Sequence, residues 1–201
     1  MKKILRIDAS ANASTSASKM LGGNLAEKLQ KIYPGTSITQ RDLNQGLSFV
    51  DAQWVDANAT PADQRTREQQ QQLTLSDTLI AEIQDADRTI VTTPMYNFGV
   101  PATLKAWIDL ICRAGVTFQY TSEGPIGLLK NKQIDIIITT GGVPLQSPVD
   151  FVSDYLKQVF RFIGIEHINI ISADQMAIDA DTSVTTAQQQ IDKIVITTAV
   201  A

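Results

Sequence analysis

The amino-acid sequence predicts an α/β domain: a doubly wound parallel sheet of five strands in the order 2-1-3-4-5, with helices on both faces. Three observations predict it. Short β-branched runs alternate with helical patterns along the 201 residues, and that alternation implies parallel strands joined by right-handed crossovers. Ile136, Ile137 and Ile138 stand in succession, which suits a strand covered on both faces. No linker, internal repeat or second domain is visible, so residues 1–201 read as one unit.

Each element has a local reason. Lys3–Asp8, with Ile4, Leu5 and Ile7, reads as the first strand. Over Ala17–Ile32, the residues Leu21, Leu25, Leu29 and Ile32 share one helical face, and Pro34-Gly35 stops the helix. Ser37–Asp42 is a second, weaker strand. Residues 46–61 show no periodicity and read as irregular, with Trp54 among them. Residues 63–84 align Leu75, Leu79 and Ile83 as a helix, whose run Gln69 to Gln72 forms a solvated face. Residues 89–93 are the third strand, stopped by Pro94. Residues 101–113 form a helix with Pro101 in its first turn and Leu104, Ile108 and Ile111 on one side. Residues 133–140 are the fourth strand. Ser147-Pro148 reads as an N-cap and N1 pair, opening a helix with Val152, Leu156, Val159, Phe160 and Ile163 that ends at Gly164. Residues 167–172 are the fifth strand and residues 182–197 the last helix. Order and length together fit the flavodoxin-like doubly wound fold.

Composition narrows the function. The chain is 43% hydrophobic and 19% charged with a net charge of -4, which argues against nucleic acid or an anionic membrane as a partner. No apolar run approaches a membrane span, and Arg6 and Asp8 interrupt the stretch that a signal peptide would need, so the chain reads as cytoplasmic. Cys112 is the single cysteine, which excludes an internal disulfide and a CxxC zinc site. With His167 the single histidine, no metal site is expected. Cys112 reads as a packing residue and His167 as a strand-end residue. Trp54 has two readings, local packing or a reach toward a cofactor or a second subunit.

In this fold ligands bind beyond the carboxyl ends of the strands, at the switch point between strands 1 and 3. After strand 1, residues 9–18 hold no charged side chain, and most of their polar groups are hydroxyls. They lead straight into a helix, whose free N–H groups and positive dipole end suit a phosphate. G-x-G-x-x-G and G-x-x-x-x-G-K-[ST] are both absent, which favours a terminal monophosphate. A ligand-free, serine-capped loop is the competing reading. After strand 3, Pro94-Met95-Tyr96-Asn97-Phe98-Gly99-Val100-Pro101 is stiffened by its prolines. Tyr96 and Phe98 can face a flat ring and the loop N–H groups its polar edge; core aromatics are the alternative. After strand 4 comes Thr139-Thr140-Gly141-Gly142-Val143-Pro144, whose glycines permit close approach to a ligand or a positive φ, as a simple tight turn also would. One ligand meets all three demands with its monophosphate, polar linker and flat tricyclic ring, and that is FMN.

The same stretches carry a resemblance. Ser10 with Ser16-Ala17-Ser18, then Pro94-Met95-Tyr96-Asn97-Phe98, then Pro101-Ala102-Thr103-Leu104-Lys105 are the first of them. Arg113-Ala114-Gly115-Val116-Thr117-Phe118 with Tyr120, and Gly124-Pro125 with Gly127-Leu128, complete the set. From residue 1 to about 178 the chain resembles the bacterial FMN-dependent NADH-azoreductases, which also act as NADH:quinone oxidoreductases. The resemblance implies a homodimer with one FMN per subunit and NADH as electron donor. It implies that Ser10, Ser16, Ala17 and Ser18 hold the FMN phosphate. Met95, Tyr96, Asn97 and Phe98 would contact the isoalloxazine, and Thr139, Thr140, Gly141 and Gly142 the far side of the ring system. The family often has Ser-Arg-Gly-Gly at this last site; Thr140 stands where the arginine would be, which removes a cation. Residues 118–127 resemble the family's hairpin. Tyr120 and Phe162 resemble positions that wall the substrate pocket, a wall that the partner subunit can supply.

The implied activity is ping-pong hydride transfer from NADH to FMN and then to quinones or to the azo bonds of aromatic azo compounds. Azo cleavage to two amines takes two NADH. The cofactor carries such chemistry, so no catalytic side chain is expected. A flavodoxin-type electron carrier without its own substrate is the alternative, although residues 46–61 and 116–129 exceed what a minimal carrier needs.

Overall fold

Five parallel strands carry the architecture. The computed structural model describes residues 2–12 and 14–194. In it β1 (Lys3–Asp8), β2 (Ser37–Asp42), β3 (Arg88–Pro94), β6 (Gln133–Thr139) and β7 (His167–Ala173) pair in the order β2-β1-β3-β6-β7. This is the expected order. The remaining strands, β4 (Phe118–Thr121) and β5 (Gly124–Gly127), form a separate antiparallel hairpin, as the resemblance implied.

The strand pleat sorts the core into two layers. Ile4, Ile90, Ile137 and Ile171 pack with α1 (Ala17–Ile32) and α6 (Ala180–Asp192) through Leu21, Leu25, Leu29 and Ile191. Leu5, Ile7, Val91, Ile134, Ile136 and Ile138 face the other way. They meet α2 (Ala52–Ala59), α3 (Arg67–Asp85), α4 (Ala102–Ile111) and α5 (Ser153–Phe162). Ile136, Ile137 and Ile138 are each 0% exposed, so the unbroken apolar run does reflect a strand covered on both sides. Each such isoleucine contributes about 2 kcal/mol relative to exposure. At the amino end of the sheet, Asp135 is buried and accepts from Arg88 Nη2 at 2.8 Å and Asn169 Nδ2 at 2.9 Å, so its charge is paired.

Four sequence expectations are corrected. Residues 46–61 are not irregular throughout: α2 lies within them, N-capped by Asp51, whose carboxylate accepts the Trp54 N–H at 2.8 Å. Only Trp54 and Ala57 of that helix are buried, too few to show a period. Trp54 packs locally in the main core. Ser147-Pro148 does not open α5. Gln146 has φ +64, Ser147 to Asp150 form a turn, and Asp150 accepts the N–H groups of Val152 and Ser153, each at 3.0 Å. The carboxylate three residues downstream outcompetes the serine as a start signal. Next, α3 opens at Arg67 behind a capping box of Thr66 and Gln69. Finally, α6 opens at Ala180 under an Asp179 cap and ends at Asp192; residues 195–197, expected in that helix, lie outside the described residues.

Candidate functional site

The carboxyl ends of β1, β3 and β6 are neighbours, and three backbone bonds carry the pairing past the strands. Ala9 N–H donates to Thr92 O at 2.9 Å, Met95 N–H to Thr139 O at 2.8 Å, and Thr140 N–H to Ala173 O at 3.3 Å. All three loops singled out from the sequence therefore open on one edge of the sheet, beside the β1/β3 switch point.

The loop after β1 ends at Ser16, the N-cap of α1. Its Oγ accepts the Lys19 N–H at 3.3 Å and is 3.1 Å from Ser18 Oγ. Met20 N–H goes to the Ser16 carbonyl, whereas Ala17 and Ser18 have N–H groups with no acceptor among the described residues. Ser10 is buried. Asn12 folds the loop: its Oδ1 accepts from Ser14 and Thr15 N–H at 3.1 and 3.0 Å. The flanking cations are already paired, Lys19 with Asp42 at 3.0 Å and Arg6 with Asp8 at 3.0 Å. An anion at this loop would therefore meet neutral donors and the helix dipole.

After β3 the chain makes a tight reversal. Tyr96 N–H donates to Gly99 O at 2.9 Å and Gly99 N–H to Tyr96 O at 3.0 Å. Between them Asn97 and Phe98 both take positive φ, +49 and +67, the signature of a type I′ turn. Asn tolerates that region; Phe98 pays about 1 kcal/mol for it. The N–H groups of Asn97 and Phe98 find no acceptor among the described residues. Tyr96 is 41% and Phe98 52% exposed, so neither is a core aromatic, while Met95 beneath them is buried.

After β6, Thr140 is buried with every polar group engaged. Its hydroxyl donates to Val143 O at 2.5 Å and accepts the Gln175 N–H at 2.9 Å, and its carbonyl accepts Met176 N–H at 2.9 Å. The side chain thus braces the turn from within. Neither Gly141 nor Gly142 has positive φ, and a Cβ on either would meet no atom within 4 Å. The glycines are not needed for the turn itself; what they leave is open space outside it.

The structure brings Tyr120 and Phe162 together through Phe118. The Phe118 ring lies 4.3 Å from that of Phe162 and 5.5 Å, edge-on, from that of Tyr120. Tyr120 stands 73% exposed on β4. The hairpin is fixed at its root. Leu129 N–H donates to Ile163 O at 2.8 Å, and the backbones of Gly127 and Gly164 touch so closely that a Cβ on Gly127 would fall 2.0 Å from Gly164 N. At its base, buried Arg113 donates to Asn58 Oδ1 at 3.1 Å and Ser76 Oγ at 3.3 Å and pairs with Asp77. Burial, reinforced by Asp109, pushes the Cys112 thiol up to about 12. Burial does the same to the Tyr155 phenol, raised to about 12. Neither can act as a nucleophile or base near neutrality.

A family model described as flavodoxin-like fold matches residues 2–195. A Hahella chejuensis protein, FMN-dependent NADH:quinone oxidoreductase 1, is 51% identical over 189 residues, which cover 94% of this chain and 93% of that protein. The chain belongs to the flavodoxin-like FMN-dependent NADH:quinone oxidoreductase family. A Jannaschia member of the same name is 47% identical over 194 residues, covering 96% of this chain and 99% of its own. Among solved structures, an FMN-dependent NADH-azoreductase from Bacillus anthracis, in complex with FMN, matches with a TM-score of 0.86 at 26% identity, over 96% of this chain and 97% of that one.

Within this flavodoxin-like family member, several residues at the candidate site were given no role there by the sequence. Phe118 joins the two expected wall residues. Arg6, Asp8, Asp42 and Asn44 lie directly behind the loop after β1. The available signal was the pair Arg6 and Asp8 on one face of a central strand, where charge is expensive unless it is paired.

Proposed function

We propose that this chain is an FMN-dependent NADH:quinone oxidoreductase that also reduces aromatic azo compounds. The observation that carries the reading is the set of N–H groups without an acceptor among the described residues on three adjoining loops, at Ala17 and Ser18, at Asn97 and Phe98, and at Gly141 and Gly142. They adjoin open space at the glycines and exposed aromatic faces at Tyr96 and Phe98. That donor set fits a phosphate at one end and the polar edge of a flat ring at the other.

Ser10, Ser16, Ala17 and Ser18 bind the phosphate through hydroxyls, N–H groups and the α1 dipole. Met95, Tyr96, Asn97 and Phe98 would hold the ring, and the two turn N–H groups would favour negative charge on it as an oxyanion hole does. Thr139, Thr140, Gly141 and Gly142 form the opposite wall; Thr140 does so by shaping the turn. Bound FMN would supply the redox chemistry, hydride transfer from NADH to a quinone or azo bond in ping-pong turnover with two NADH per azo bond. Tyr120 and Phe162 shield the acceptor from water. Solvent provides the product's protons. We further propose a homodimer acting in the cytoplasm, with the exposed Tyr120 edge of the hairpin completing the pocket of its partner. No described helix is long and apolar enough to cross a membrane.

The test is NADH oxidation by purified protein with FMN. Sustained consumption on addition of a quinone is expected. A flavin that is reduced without turnover would point to an electron carrier and overturn the reading.

A further inference from the structure

We propose that Asn44 and Asp42 are positioning residues for the cofactor phosphate, tying both ends of the loop 9–18 to the end of edge strand β2. The inference rests on the FMN reading above. Asp42 is the last residue of β2 and sits opposite Asp8 in register. Its Oδ1 accepts the Asn44 N–H at 3.0 Å, which starts the 3-10 turn Leu43–Gln45. That turn delivers Asn44 Nδ2 to the carbonyl of Ser10 at 2.6 Å, at the entry of the loop. The other oxygen of Asp42 holds Lys19 Nζ at 3.0 Å, in the first turn of α1, at the exit of the loop. One carboxylate thus serves both ends.

A second set of contacts seats the helix. Arg6 Nη2 donates to the Lys19 carbonyl at 2.7 Å. Asp8 fixes Arg6 and also accepts from Gln40 Nε2 at 2.7 Å and Thr92 Oγ1 at 2.8 Å. Gly22 lets α1 lie close to β3, since a Cβ there would fall 2.4 Å from Thr92 Cγ2.

The chemistry explains why placement matters. A phosphate gripped by neutral N–H and O–H donors is bound well only if those donors are already aimed, because a neutral hydrogen bond depends on its angle more than a cation's attraction does. Lys19 and Arg6, the cations in contact with the elements flanking the loop among the described residues, are both paired in place. A cation in the first turn also opposes the helix dipole, and Asp42 cancels that effect. The expected consequence is selectivity: disturbing the tie should weaken the phosphate-bearing flavin and spare the one without it.

Apo-protein is titrated with FMN and with riboflavin, each followed by quenching of flavin fluorescence, and circular dichroism confirms that the variants fold. Wild type is expected to prefer FMN. Asn44→Ala should raise the FMN dissociation constant about three- to tenfold, the scale of one lost hydrogen bond, with riboflavin unchanged. The double variant Asp42→Ala/Lys19→Met removes the pair without exposing a lone charge and should show the same FMN-selective loss. Unchanged FMN affinity in both variants, or equal losses for FMN and riboflavin, overturns the proposal while leaving the FMN reading intact. A wild type that binds neither flavin, or both alike, overturns the phosphate site and this inference with it.

Discussion

The N–H of Met95 donates to the carbonyl of Thr139 at 2.8 Å, joining the root of the aromatic turn to the root of the glycine turn. Pro94 pairs with Thr139 in the sheet register, and this bond extends the ladder one residue past the end of β3. Two walls of the candidate cleft are thereby set by sheet geometry rather than by loop packing. Residues at the tips of these loops can be changed with little effect on the fold, which allows function and stability to be tested separately.

At Gly141 a Cβ would meet no atom within 4 Å. Gly141→Val should therefore melt within about 2 °C of wild type, as surface substitutions away from special features do. The valine would occupy the space in which the ring is placed. Flavin content per chain, read from absorbance, should fall severalfold. A fully loaded yellow variant would remove this turn from the site.

Ser16 caps α1, and aspartate caps as well as serine. Ser16→Asp should keep the thermal stability while setting a carboxylate against the phosphate. About a tenfold weaker FMN affinity is expected at low salt, roughly 1.4 kcal/mol, with riboflavin unaffected. Equal affinity for FMN in wild type and variant would contradict the phosphate assignment.

Phe98 holds a left-handed backbone at φ +67 with its ring half exposed. Phe98→Gly relieves about 1 kcal/mol of that strain, partly offset by the added freedom of the unfolded chain. The urea midpoint should hold or rise slightly. Quinone turnover should drop at least about fivefold, since the ring's stacking surface is gone. A loss of stability alongside full activity would mean that Phe98 serves the fold instead.

Asp150 opens α5. Burial alone would raise its pKa, but donors at Ser153, Gln146 and Val152 hold the carboxyl below its ordinary 3.8. A carboxyl depressed in the folded state contributes stability that is complete above the unfolded pKa and is lost as pH falls through the folded one. Asp42 acts with the same sign: burial raises it, and Asn44 and Lys19 lower it further than that. The urea midpoint of wild type should fall between about pH 5 and pH 3, and Asp150→Asn should show a shallower acid slope. Parallel slopes would remove Asp150 from the acid response.

The sheet order was legible because it rests on local signals: β-branched runs, glycine and proline punctuation, and the triple isoleucine of β6. Loop composition likewise marked the candidate site, because hydroxyls before a helix and paired glycines after a strand are visible in a short window. The helix α2 was not legible, since it buries two residues of eight and has no period to show. The start of α5 was misread because Ser147 and Asp150 compete as signals three residues apart. The internal bracing of the glycine turn by the Thr140 hydroxyl was not legible, because its partners Val143 and Gln175 lie on two different loops. Asn44 and Asp42 stayed hidden for a different reason: their contact with the loop after β1 depends on the register between β1 and β2, which no local pattern encodes.

The most direct measurement is the absorbance spectrum of the purified protein with added FMN, recorded anaerobically before and after NADH and again after a quinone. One tightly held FMN per chain is expected, bleached by NADH and restored by the quinone. A protein that takes up no FMN, or whose yellow band NADH leaves unchanged, would contradict the assignment of this sheet edge as a flavin site.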